Sequence, residues 1–275
     1  MNKNLDNNLT KIRNFFDLIR NEYPTKEEVY NYLLACKSFV FSQYGLNEND
    51  YDITIHFTNS KELDFDEAKM LADENDVSKF EITLKSNKLS NKYYLNEFEK
   101  KSKETLSKKD LIEKRQSSIL TLTISFLHEL GHVFQYIQEP KTMQIDDENK
   151  DALIEAFKQT CCLMPNNRKT RLLIKALGKH INALAYMSSP ERNADKRAYI
   201  YFASILTNLI RVEEDEEMLD FLCSAHNYIN KAKKHNYKVY REFSKENREA
   251  ILKLHDLEFE KELEELSKSL EDSIR

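Results

Sequence analysis

The chain has 275 residues, of which 40% are hydrophobic and 11% aromatic. That excludes a globally disordered polypeptide and suffices for the core of one large domain or two small ones. Three glycines and four prolines are too few for a turn-rich sandwich or barrel and favour long helices, while a net charge of −5 provides no global basic field for nucleic acid. Residues 1–16, MNKNLDNNLTKIRNFF, lack an apolar signal core, and no uninterrupted apolar run reaches the roughly eighteen residues of a membrane span. A soluble, cytoplasmic protein without membrane contact is expected. Cys36, Cys161, Cys162 and Cys223 show no CxxC spacing and read as thiols in a reducing compartment, with Cys161 and Cys162 buried on an amphipathic helix.

The first readable helix lies in PTKEEVYNYLLACKSFVFSQYG. Thr25 and Glu28 have capping-box spacing, and Gly45 suits the C-terminal stop. YDITIHF (51–57) and KFEITLK (79–85) alternate with the strand period and predict a small sheet, with His56 on the face opposite Ile53, Ile55 and Phe57. The acidic segment between them, SKELDFDEAKMLADEND, reads as helical. EKKSKETLSKKDLIEKR (99–115) interleaves basic and acidic residues and reads as a solvated helix face or loop. From about 116 to 138 the chain turns apolar and predicts one long buried helix ended by Pro140, despite the β-branched residues at its start. Further helices are predicted at about 147–163, 169–187, 190–211, 214–235 and 240–272. The resulting division is a domain over 1–235 and a charged helical extension over 236–275, which can serve as a partner-binding arm.

Within the buried helix, FLHELGHVFQY places His128 and His132 one turn apart on one face. Zinc accepts such imidazole nitrogens, and Glu129 beside the first can reach a water at the metal; this is the HExxH arrangement, with the glutamate as general base. Gly131 costs about 1 kcal/mol against alanine in a helix interior and makes sense where something must approach closely. The competing reading is a core helix with two hydrogen-bonded histidines. A di-iron bundle would need the ExxH element twice, and none of the other five histidines has a glutamate three residues earlier.

A third ligand is offered by MSSPERNADKRAYIYF (187–202). Ser189 can cap a helix beginning at Pro190, with Glu191 in its first turn and Asp195 one turn on. Glu191 would complete the metal set, with Asp195 accepting a hydrogen bond from a ligand imidazole; Asp195 is the alternative third ligand. The competing reading here is an ordinary capped helix with surface charges.

HELGH followed by ERNAD resembles the gluzincin metallopeptidases, and FASIL downstream adds a likeness to the soluble ImmA/IrrE-type peptidases. The resemblance covers roughly residues 50–210. It implies an α+β, predominantly helical zincin-like fold, with a small mixed or antiparallel sheet packed on the active-site helix. It also implies Zn2+ held by His128, His132 and Glu191, with Glu129 as base, and hydrolysis of peptide bonds in a peptide or protein substrate. Glu191 follows His132 by 59 positions, a longer separation than in the soluble members, which helical insertions would fill. Tyr186, Tyr199 and His226 are candidates for stabilising the oxyanion, and KFEITLK for an edge strand that pairs with substrate. A metal-stabilised binding or scaffold module is the alternative function; a toxin-like protease would share the same motifs.

Overall fold

The structure, a computed structural model, describes residues 3–58, 68–73, 76, 78–85, 108–141, 143, 155, 158–159 and 189–254. In chain order these form α1 (Lys3–Asn21), α2 (Lys26–Gln43), a short 3-10 turn (Glu48–Asp50), β1 (Asp52–Thr58), β2 (Ala68–Ala72), β3 (Lys79–Lys85), α3 (Lys108–Gln138), α4 (Ser189–Ile210) and α5 (Glu216–Leu254). The described residues are mostly helical with one three-stranded mixed sheet, an α+β arrangement. The chain divides into two units, Met1–Ile229 and Asn230–Arg275. His128, Glu129, His132, Glu191 and Asp195 all lie in the first.

Both ends of α2 form as their residues dictate. Thr25 Oγ1 accepts from the Glu28 N–H, and the Glu28 carboxylate accepts from the Thr25 N–H at 2.6 Å. At the other end Gly45 takes φ 65°, and the Leu46 N–H reaches back to the Phe41 carbonyl, which satisfies an otherwise orphaned acceptor.

The sheet has the order β1-β3-β2, with β1 parallel and β2 antiparallel to β3. KFEITLK is therefore the central strand, paired on both sides, and the expectation that it forms a substrate-pairing edge is corrected. The segment read as helical also needs correction where it is described, because Ala68–Ala72 forms strand β2. Ala, Lys, Met and Leu are strong helix formers, but pairing with β3 and packing on α3 override that weak preference. His56 is exposed, as the alternation requires.

Helix α3 runs through the core and starts at Lys108, earlier than its apolar stretch suggests. Its β-branched run is helical because burial of Ile119, Leu120 and Leu122 outweighs a weak local preference, and Thr121 Oγ1 donates to the Ser117 carbonyl and Thr123 Oγ1 to that of Ile119. Arg115 is buried rather than solvated. Its guanidinium donates to the Ile19 carbonyl at the end of α1 and lies 4.4 Å from the Tyr23 ring centre. From Glu129 to Tyr136 the helix is buried on all sides, between the sheet (Phe80 against Tyr136), α2 (Phe41 against Phe134) and α4. Pro140 stands at the start of a new helical turn, with the Met143 N–H bonded to the Glu139 carbonyl.

α4 begins at Ser189, which is itself the first helical residue rather than a residue outside the helix. Two separate helices at 214–235 and 240–272 are replaced by the continuous α5 as far as Leu254; no glycine or proline interrupts 216–254. Glu155, Lys158 and Gln159 are helical, whereas the rest of 147–163 and all of 169–187, with Cys161, Cys162 and Tyr186, lie outside the described residues. Cys36 is buried and Cys223 exposed, both as free thiols. No helix among the described residues is long and apolar enough to cross a membrane.

Candidate metal centre

α3 supplies two imidazoles and α4 two carboxylates, and Gly131 brings the helices together. A Cβ at Gly131 would lie 3.0 Å from the Ala194 Cα and 3.1 Å from its carbonyl oxygen. The close approach anticipated for this glycine is thus made by the backbone of α4. Gly131 stands between the two histidines, and Ala194 stands between Glu191 and Asp195, so this contact sets the distance between the imidazoles and the carboxylates.

The polar atoms then form two layers. In the inner layer His128 Nε2 lies 3.2 Å from His132 Nε2 and 3.1 Å from Glu191 Oε2, and His132 Nε2 lies 3.4 Å from the same oxygen. In the outer layer His128 Nδ1 meets Asp195 Oδ1 at 2.8 Å, and His132 Nδ1 meets Gln135 Oε1 at 2.8 Å. Gln135 Nε2 donates in turn to the Pro190 carbonyl at 2.9 Å. Both outer partners present oxygen, so each Nδ1 carries a proton. In the neutral rings both Nε2 lone pairs therefore point inward, toward the Glu191 carboxylate. Two ring nitrogens and a carboxylate oxygen thus face one point, where a proton or a cation offsets their mutual repulsion.

That offset shows in the titration of the metal-free site. Burial lowers the pKa of His128, but hydrogen bonds with Asp195 and Glu191 outweigh it and lift the value to about 10. For Glu191 burial acts upward, yet the hydrogen bonds from His128 and His132 prevail and hold the carboxyl well below the usual range. Glu191 also sits in the first turn of α4, where the helix N-terminus favours an anion. Glu129 is buried, with its pKa raised by that burial and by Glu191 against the pull of both histidines. The Met70 backbone N–H of β2 also hydrogen-bonds to the Glu129 carboxylate.

His128, His132 and Glu191 are brought together as one group whose ligand atoms lie within 4.8 Å of one another. Asp195 sits behind His128, in the outer layer. Tyr199 is buried one turn beyond Asp195 on α4, and His226 is half-buried on α5; neither belongs to the three-residue group. Gln135 was missed by the sequence reading. Its signal was available, since it stands three residues after His132 on the same helix, but amides are not first suspects beside a metal motif.

No family model, no curated protein and no solved structure matches this chain.

Proposed function

We propose that the chain is a zinc-dependent peptide hydrolase of gluzincin style, with a zincin-like packing of α3 between the sheet and α4. The observation that carries this reading is the convergence of the three inner acceptors. Tetrahedral zinc, with ligands at about 2.0–2.1 Å, has ligand–ligand edges of about 3.3 Å. The three edges here measure 3.1, 3.2 and 3.4 Å. Donor types, tautomers and spacing all fit zinc held by His128, His132 and Glu191, with Asp195 and Gln135 behind the imidazoles.

Bound zinc supplies a Lewis acid that polarises a carbonyl and brings the pKa of a water toward neutrality. The chain's own contribution is the base. Glu129, buried beside both imidazoles, accepts a proton from water as the oxygen attacks the peptide carbonyl, and returns it to the amine as the C–N bond breaks. The edge strand beside α3 is β2. Because the Asp73 N–H bonds to the Lys79 carbonyl, the ladder alternation turns the backbone groups of Ala68, Met70 and Ala72 outward, the Met70 N–H toward Glu129 and those of Ala68 and Ala72 toward the open edge. An extended peptide adding to that edge would lie alongside the Glu129 helix.

Zinc content and cleavage of a peptide library, measured on the wild type and on Glu129→Gln, test the proposal. The variant should retain zinc and lose about 10²–10⁴-fold in rate. A metal-stabilised scaffold would be unaffected by that substitution, and undiminished cleavage by the variant would remove Glu129 from the mechanism.

A further inference from the structure

The two imidazoles are not held alike. His128 leans on a carboxylate from α4, whereas His132 leans on Gln135, a neutral amide from its own helix. Gln135 is only 7% exposed, and both ends of its amide are used: Oε1 accepts from His132, and Nε2 donates to the carbonyl of Pro190. Pro190 immediately precedes Glu191. One buried side chain thus touches one ligand directly and, through a backbone carbonyl, the turn that carries another.

We infer that Gln135 is a positioning residue that sets two of the three metal ligands at once, His132 by tautomer and Glu191 by the placement of its turn. This rests on the zinc reading above. The directions of the two bonds are fixed by chemistry. The Pro190 carbonyl can only accept, so the amide nitrogen faces it and the amide oxygen faces Nδ1. Nδ1 must therefore be the protonated nitrogen, and Nε2 is left free for the metal. A carboxylate at this position could hold the imidazole but would place an acceptor against the Pro190 carbonyl. An apolar side chain of the same length could do neither. Glutamine supplies both bonds, and its neutrality keeps a second outer-layer anion away from the site.

The test uses the full chain with zinc as probe, and Gln135→Met and Gln135→Glu as variants. Zinc affinity is measured against a chromophoric chelator, and the His132 tautomer by long-range proton–nitrogen spectra. Gln135→Met should weaken zinc binding by about tenfold to a hundredfold, with loss of the uniform Nδ1–H state of His132. Gln135→Glu should fall between wild type and Gln135→Met, because it keeps the imidazole bond and loses the tether to Pro190. The inference is overturned if Gln135→Glu binds like wild type, which would make the tether idle, or if Gln135→Met does so. Where Gln135→Met does not fold, Gln135→Glu alone decides: weaker zinc with the Nδ1–H signal intact supports the inference, and wild-type affinity overturns it. Failure of the wild type to bind zinc would instead sink the metal reading itself, a distinguishable result.

Discussion

On the proposed zinc reading, a proton and a metal ion would compete at His128. In the metal-free protein Asp195 and Glu191 hold its pKa at about 10, against an ordinary value of 6.5. Because the folded value lies above the unfolded one, the stabilisation from this group is fully present below about pH 6.5 and is lost as pH rises through about 10. The melting temperature of metal-free protein should therefore carry a downward component over that window, absent in His128→Asn. Zinc bound at Nε2 would have to displace the same proton. Calorimetric titrations at pH 8 in buffers of different ionisation heat should show release of about one proton per zinc. Release of none would mean that the imidazole was already neutral and that Nε2 donates no hydrogen bond to Glu191.

Among the elements, the pair α3–α4 matters most, and its contact point is Gly131. Alanine there would gain about 1 kcal/mol of helix propensity. Its methyl group, however, would meet backbone atoms of Ala194 at 3.0 and 3.1 Å, and backbone cannot move aside as a flexible side chain can. Gly131→Ala should displace α4 by some tenths of an ångström and weaken zinc binding by a larger factor than it changes metal-free stability. Chelator competition and thermal melting on the same sample would separate the two effects. The α2 capping box offers the opposite case. Thr25→Ala should cost about 0.5–2 kcal/mol in denaturant unfolding and leave zinc affinity unchanged. The same scale explains what the sequence could and could not reveal. The histidine pair was readable because helical spacing alone puts both rings on one face. Glu191 was readable as a first-turn carboxylate and, through the ERNAD resemblance, as a third ligand; its meeting with α3 depends on the Gly131–Ala194 approach, which no spacing shows. Strand β2 was hidden because AKMLA prefers a helix in isolation. The central place of β3 was hidden because alternation shows a strand's two faces and says nothing of how many neighbours it has.

For the whole molecule, the proposed ligands, their outer-layer partners and the proposed base all fall within the unit Met1–Ile229. α5 contributes Met218, Leu222, Ala225 and Ile229 to the core of that unit, Ile229 being its last residue. A chain shortened to residue 239 should therefore keep zinc and the cleavage rate of the full chain toward short peptides. Loss of zinc on that truncation would place part of the metal centre's support in the charged extension.

The central claim is that two imidazoles and one carboxylate share a single divalent ion. Zinc K-edge X-ray absorption on protein loaded with one equivalent tests it most directly. The account predicts two imidazole nitrogens and carboxylate oxygen at about 2.0–2.1 Å, with one imidazole lost in His132→Ala. A shell dominated by sulfur, or one unchanged by that substitution, would contradict it.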